Sequence, residues 1–229
     1  MKTTVIAATL NEIDAVQVVL PQLRQTNADE IIVVDGGSTD GTVEYCKRNG
    51  FFVLEQQRGG YGAAIREGVK MATGDVIIEF PPDGNSLAEK IPELIREMEK
   101  GYDLVIVSRY KNGAKSYDDD PITALGNKLF TFLVNLLFGT SYTDVLVGYR
   151  AYVKERFWKV RMDTNGLGWP AQSAIQFARK GYRVAEISGD EPKRIGGKRK
   201  MQPLKTGLEI LFLILREYAD HRRERASRK

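Results

Sequence analysis

The sequence predicts an α/β fold, a mainly parallel central sheet flanked by helices. Through the first half of the 229-residue chain, short β-branched apolar runs alternate with segments of helical period. The β-α-β-α spacing is that of parallel strands joined by crossover helices. The composition, 42% hydrophobic and 28% charged, is that of a globular chain rather than a disordered or fibrous one.

Thr4–Ala8 reads as a buried strand, followed by a helix with Asn11 as N-cap. Ile31–Val34 is a second apolar strand, followed by a Gly/Ser/Asp turn and a helix ending at Gly50. Phe51–Leu54 is a third strand, and Tyr61–Met71 is helical. Val76–Phe80 makes a fourth strand, a helix from about Ser86 to Lys100 is closed by Gly101, and Leu104–Val107 is a fifth strand. In the less regular second half, Thr123–Phe138 and Trp169–Lys180 read as helices, and Val145–Tyr152 and Tyr182–Ile187 as strands. A Gly/Lys/Arg-rich loop, Gly189–Met201, precedes a last helix from about Pro203 to Tyr218. No repeat or low-complexity linker interrupts the chain. Residues 1–202 form the body, and residues 203–229 an amphipathic helix with a basic tail.

In such sheets ligands sit beyond the carboxyl ends of the strands. Asp35 after the second strand, Arg58 after the third, Asp83 after the fourth and Arg109 after the fifth therefore share one rim. The single cysteine, Cys46, excludes a disulfide framework and a zinc site of several thiolates. The single histidine, His221, lies in the basic tail, remote from any Ser-His-Asp arrangement. Chemistry falls to carboxylates, amides, Arg and Lys, a metal, or the substrate's own charge.

Residues 1–192 carry a small acidic excess, whereas from Lys193 onward twelve basic residues meet four acidic ones. A cationic end on an acidic body aims one surface at an anionic partner, though Arg222–Lys229 also reads as a solubilising tail. The basic set lacks interleaved aromatics, which argues against nucleic acid. Met1-Lys2-Thr3-Thr4 runs straight into the first strand with no leader pattern. No run approaches the ~20 apolar residues of a spanning helix. The expectation is a cytoplasmic protein, peripheral at the inner face of a membrane.

Val33-Val34-Asp35-Gly36-Gly37-Ser38-Thr39-Asp40-Gly41-Thr42 places a carboxylate at a strand end, followed by glycines. Such a carboxylate can accept hydrogen bonds from a nucleoside while the backbone approaches closely. A tight turn with Ser38 or Asp40 capping the next helix is the plainer alternative. Arg58-Gly59-Gly60-Tyr61-Gly62-Ala63 fails the G-x-G-x-x-G dinucleotide pattern, because Ile65 occupies its third position.

Together with Ala8-Thr9-Leu10-Asn11-Glu12, the Asp35 stretch resembles the nucleotide-binding half of glycosyltransferase family 2. Those enzymes read roughly P-T-x-N-E and V-D-D-G-S-x-D-G-T; Ala8 stands for the proline and Gly36 for the second aspartate. Arg58–Ala63 resembles the family's R-G-x-G-x-A loop, and Gly74–Asn85 its strand and metal motif. In the latter, Pro81 replaces the first aspartate, Asp83 keeps the second, and Asn85 stands for a glutamine. Val107-Ser108-Arg109-Tyr110, Thr143–Arg150 and Arg194–Lys200 resemble segments of the polyprenyl-phosphate branch, the dolichol-phosphate mannose synthase-like group. There Tyr149 replaces a phenylalanine and Arg199 a serine.

The resemblance implies the A-type nucleotide-sugar glycosyltransferase fold (GT-A). It also implies inverting transfer of a hexose from a GDP- or UDP-sugar to a polyprenyl or dolichyl phosphate. Thr9, Asn11, Glu12, Asp35, Asp40, Arg58 and Gly62 would bind the nucleotide, with Arg58 beside a helix N-terminus at the diphosphate. Asp83 and Asn85 would hold a divalent cation, Mg²⁺ or Mn²⁺, weakened by the lost carboxylate. A metal-independent variant using Arg and Lys is the alternative.

Ser108, Arg109, Arg194 and Lys200 would surround the acceptor phosphate, and Asp83, Arg109, Arg194 and Lys200 form the catalytic set. A phosphate monoester is mostly dianionic at pH 7 and needs no base. That suits a chain with Gln172 where such enzymes often place an acid. Asp118-Asp119-Asp120 reads as a solvated loop before Pro121, with a carboxylate favourable at a helix N-terminus. Leu129–Phe138 and Leu208–Leu215 would lie at a bilayer with Lys205, Arg216, Arg222 and Arg223 facing head groups, or else pack in the core or against another copy. Two alternatives stay open: a soluble family 2 enzyme with a non-lipid acceptor, and a nucleotide-binding homologue without catalysis.

Overall fold

The computed structural model describes residues 1–197 and 199–227; Lys198 of the basic loop and Arg228 and Lys229 of the tail lie outside them. β1 (Thr3–Thr9), α1 (Ile13–Leu23), β2 (Glu30–Asp35), α2 (Thr42–Arg48), β3 (Phe52–Glu55), α3 (Tyr61–Met71) and β4 (Val76–Glu79) follow the predicted rhythm. A 3-10 turn, Ala88–Lys90, leads into α4 (Ile91–Glu99), so the expected helix from Ser86 begins later and tighter. Then come β5 (Leu104–Ser108), α5 (Pro121–Phe138), β6 (Arg150–Val153), the single turn α6 (Lys154–Phe157), α7 (Trp169–Arg179), β7 (Val184–Ser188) and α8 (Pro203–Ala226).

The sheet has the order β3-β2-β1-β4-β6-β5-β7. β1 is its pivot, pairing in parallel with β2 on one side and β4 on the other. Val5, Ile6 and Ala7 are wholly buried, as are Val33, Val34 and Val76–Ile78. These near-continuous apolar runs are what a sheet covered on both faces requires. The sheet is mixed: β6 runs antiparallel to both β4 and β5, setting Arg150 beside Glu79 and Ile106. β6 is also shorter than the expected Val145–Tyr152. Asp144 folds the preceding residues back, its Oδ1 accepting from Leu146 N and Val147 N at 3.3 and 3.2 Å.

α8 lies on α5 and α7, and its middle is pinned by a buried acid. Glu217 accepts from Gln172 Nε2 at 2.9 Å, Gln176 Nε2 at 2.6 Å, Arg179 Nη1 at 2.6 Å and Arg161 Nη2 at 2.9 Å. A buried carboxylate with several donors is well satisfied. Gln172 therefore joins helices rather than facing a ligand.

Asp120 caps α5, accepting from Thr123 N at 2.9 Å, as the helix-terminus expectation required. α5 is apolar outward as well as inward. By length and composition alone it could cross a membrane, contrary to the expectation that no segment qualifies, and 17% of it is buried. Its buried edge is Asn127, Thr131 and Val134, while Ile122, Leu125, Leu129, Phe132 and Leu136 form one exposed stripe at helical spacing. α8 carries a second stripe, Leu204, Leu208, Phe212 and Leu215.

Candidate active site

A cleft of about 640 Å³ lies beyond the carboxyl ends of β1, β2, β4 and β5. One end is walled by Thr9, Leu10, Gly36 and Gln56, the middle by Glu12, Asp83, Asn85, Arg194 and Lys200, and the far end by Arg109, Asp118, Asp119 and Glu191. Thr123 and Asn127 of α5 and Lys205, Thr206 and Glu209 of α8 line it as well. The volume is that of a small-molecule site.

At the first end, the sequence-predicted carboxylates are structural. Asp35, 2% exposed, accepts from Gly37 N and Ser38 N at 2.9 and 2.8 Å through Oδ1, and from Thr9 Oγ1 at 2.9 Å through Oδ2. It is the strut beneath the glycine loop and presents no face to the cleft. Asn11 is not the N-cap of α1. It adopts φ 52° and turns its Oδ1 to Thr39 N at 2.8 Å. The cap comes from across the loop: Asp40 Oδ2 accepts from Ile13 N at 3.0 Å, and Thr42 Oγ1 accepts from Glu12 N at 3.1 Å. Burial works against ionised Asp40, but hydrogen bonds from Thr42 and Ile13 outweigh it and hold the carboxyl below the usual range. Asp40 thus locks the two loops together instead of reaching toward a nucleoside.

Arg58 is exposed, its N–H donating to Glu67 Oε1 at 3.1 Å, and the cleft wall is made by the following Gly59 and Gly60. Gly62 answers to packing: a Cβ there would stand 2.4 Å from Thr164 O and 2.7 Å from the Trp169 ring. Its N–H, and that of Ala63, donate to Asn165 O at 2.8 and 3.4 Å. The α3 N-terminus expected to receive a diphosphate is therefore partly engaged by protein.

In the middle, four predicted residues meet. Arg194 Nη2 donates to Glu12 Oε1 and to Asp83 Oδ2, both at 3.2 Å. Lys200 Nζ donates to Glu12 Oε1 at 2.9 Å, and Ile195 N to Asp83 O at 2.9 Å. The loop carrying these cations lies across the cleft. Burial pushes the Asp83 carboxyl up, Arg194 pulls it down and Glu12 pushes it up again.

The far end is denser in charge. Arg109 grips Asp144 in two parallel bonds, Nε to Oδ2 at 2.7 Å and Nη2 to Oδ1 at 3.1 Å, and its Nη1 reaches Asp119 at 3.3 Å and Glu191 at 3.2 Å. Burial opposes ionisation of Asp144, but the guanidinium outweighs it and the carboxyl lies below its usual range. Burial raises Glu191, against the pull of Arg109. With three carboxylates around it, Arg109 is not an open phosphate clamp. Ser108 is wholly buried, hydrogen-bonded to Thr143 Oγ1 at 2.6 Å, and reaches no acceptor. The acidic run is not a freely solvated loop: Asp118, Asp119 and Asp120 all pair with Arg199, and Asp119 accepts from Tyr110 OH at 2.5 Å.

Beneath the middle, Glu79 is fully buried and accepts from Trp169 Nε1 at 2.8 Å and Tyr61 OH at 3.5 Å. Burial lifts its carboxyl to about 7, against Arg150 and these donors.

The chemistry of the donor set bears on a divalent cation. Among the described residues no group of three or more His, Cys, Asp or Glu side chains could hold a metal. Asp83 and the Asn85 amide oxygen are hard oxygen ligands on one cleft wall. They fit Mg²⁺ or Mn²⁺ completed by phosphate and water, and do not form an all-protein cage.

Sequence reasoning missed Glu191, Asp119 and Asp144 as partners of Arg109. Glu191 lies just past the end of β7, so the rim rule applied to the fifth strand would have found it at the seventh. Asp119 left no local signal.

Residues 4–161 match the family model described as Glycosyl transferase family 2. Over 207 residues the chain is 30% identical to a dolichyl-phosphate hexose transferase of Haloferax volcanii, covering 90% of this chain and 89% of that one. It is 28% identical to an undecaprenyl-phosphate mannosyltransferase of Micrococcus luteus, covering 88% of each chain. Among solved structures, glucosyl-3-phosphoglycerate synthase of Mycobacterium tuberculosis, in complex with Mn²⁺, UDP and phosphoglyceric acid, matches with a TM-score of 0.77 and 22% identity. That match covers 95% of this chain and 78% of that one, and the shared architecture is the GT-A fold.

Proposed function

This chain belongs to glycosyl transferase family 2 and is a glycosyltransferase, and on that premise we propose that it moves a hexose from a UDP- or GDP-sugar to a polyprenyl phosphate at a membrane surface. The observation that carries the reading is that α5 and α8 both line the cleft and both bear exposed apolar stripes, with Leu204 87% and Phe212 79% exposed. A lipid tail held against those stripes leaves its head group at the cleft, and Lys205, Arg222 and Arg223 of α8 suit anionic lipid, whereas Arg216 is paired with Asp163 at 2.6 Å. The names of the Haloferax and Micrococcus relatives support the acceptor class.

In this reading the nucleotide lies over Thr9, Leu10 and the Gly36 loop, and its diphosphate beside Asp83 and Asn85. Asp83 and Asn85 would hold a divalent cation, which would supply neutralisation of the departing diphosphate. Arg194 and Lys200 orient the acceptor phosphate, and Arg109 acts as a positioning residue that organises the carboxylates around it. One acceptor phosphate oxygen attacks the anomeric carbon from the face opposite the diphosphate. The bond from that carbon to the leaving oxygen breaks, its electrons leave on the nucleoside diphosphate, and the centre inverts. The dianionic phosphate carries no proton that must be removed, so alignment and charge stabilisation suffice.

The test is incubation with labelled UDP- and GDP-hexoses and polyprenyl phosphate in vesicles. Organic-extractable label, lost in Asp83→Ala, is expected; no such label with any donor overturns the acceptor assignment. A second reading, a soluble phosphorylated acceptor, is favoured by the phosphoglyceric acid bound by the structural neighbour. Label retained in water with phosphoglyceric acid as acceptor would select it.

A further inference from the structure

We propose that Gln56 selects the nucleobase of the donor, its side-chain oxygen accepting the ring N–H of uracil or guanine. The inference rests on the reading that the cleft takes a nucleoside-diphosphate sugar, and adds which base it admits. Gln56 comes directly after β3, and its backbone N–H donates to Asp35 O at 2.8 Å, so the residue is held at the sheet rim. Its Nε2 donates to Gly60 O at 2.8 Å and also to Arg58 O. Two main-chain carbonyls converge on that one amide atom, which makes it the NH₂ and fixes the other as the carbonyl oxygen.

That oxygen accepts no hydrogen bond among the described residues, and Gln56 lines the cleft together with Thr9, Leu10 and Gly36. It stands 3.1 Å from the place a Cβ on Gly36 would take. The absence of a side chain at Gly36 is therefore what leaves the oxygen room. Opposite, Leu10 is 39% exposed and offers an apolar surface for a planar ring.

A fixed acceptor without a competing donor discriminates by chemistry. Uracil N3 and guanine N1 carry hydrogens, whereas cytosine N3 and adenine N1 carry lone pairs that would face the amide oxygen. An unmet or repulsive polar contact of this kind costs a factor of about 10 or more in affinity.

Calorimetric titration with UDP, GDP, CDP and ADP in Mn²⁺, with pyrophosphate as a probe lacking a base, tests this. In the wild type the better of UDP and GDP should bind at least about tenfold more tightly than CDP and ADP. Gln56→Leu should bring the four within about twofold while pyrophosphate binding is unchanged. Gly36→Ala, which crowds the oxygen without altering Gln56, should lower the same ratio and decides the matter if Gln56→Leu does not fold. A ratio unmoved by these variants, or a wild type that binds CDP or ADP as well as UDP, overturns the proposal alone. A wild type that binds neither nucleotide nor pyrophosphate overturns the donor reading with it.

Discussion

The two ends of the cleft are built by different means. At the β1–β2 end, Asp35 and Asp40 are held by backbone N–H groups and hydroxyls within the two adjoining loops, and every charge serves loop shape. At the β5–β7 end, guanidiniums and carboxylates far apart in sequence meet directly. Arg109 engages Asp144, Asp119 and Glu191. The first end is held by hydrogen bonds within its own loops. The second is held by charge balance, so removing one partner there leaves another charge uncompensated.

The largest effect should come from breaking that balance at its most buried point. Asp144→Ala leaves Arg109 without its bidentate partner and should cost about 3–5 kcal/mol in urea unfolding; a loss below about 1 kcal/mol would show that Asp119 and Glu191 can carry the charge alone. Asp83→Ala should leave the unfolding midpoint nearly unchanged and lower glycosyl transfer on the order of 100-fold. A matching loss of stability would instead make Asp83 an anchor of the Arg194 loop.

Between the two ends, Glu79 sets a pH dependence. Its folded value, about 7, lies above the ordinary carboxylate value, so between these the folded state holds a proton that the unfolded state has released. Stability should therefore fall as pH rises from about 4.5 to about 7, by roughly 1–3 kcal/mol, and level off above. Unfolding of Glu79→Gln across the same range should lack this component. The smallest effect is expected at the rim: Arg199→Ala, a half-exposed partner of Asp118–Asp120, should change stability by less than about 1 kcal/mol and reduce its sensitivity to salt.

The contrast also explains what could be read beforehand. β1, β2 and β4 were legible because a buried parallel strand leaves a continuous apolar run, and their loops because Gly, Ser and Asp turns are local; β3, at the sheet edge and not buried, showed only as a short Phe-Val-Leu run. The roles of Asp35 and Asp40 were less so. A carboxylate facing a ligand and one tying down a turn leave the same residues at the same spacing; neither Ser38 nor Asp40 is the N-cap of α2 as the turn alternative had it, and Asp40 reaches back to the start of α1. Arg109 was found but its surroundings were not. Its partners come from segments up to 82 residues away, and no periodicity encodes such a meeting. The stripes on α5 and α8 were visible as apolar runs. Their exposure depended on which face α7 and the other helix of the pair would cover.

The reversal of β6 has a bearing on how this chain can vary. Every parallel strand offers the rim only the residues at its exit, after which the chain must climb back through a helix. β6 begins at the rim, with Arg150 level with Glu79, and so offers the residues at its entrance, Leu146 and Gly148, while Asp144 behind them holds Arg109. Lengthening or shortening the chain between Gly139 and Tyr149 would thus remodel the substrate chamber. The same edit after Val153 would fall on the opposite side of the sheet and leave the chamber's outline intact.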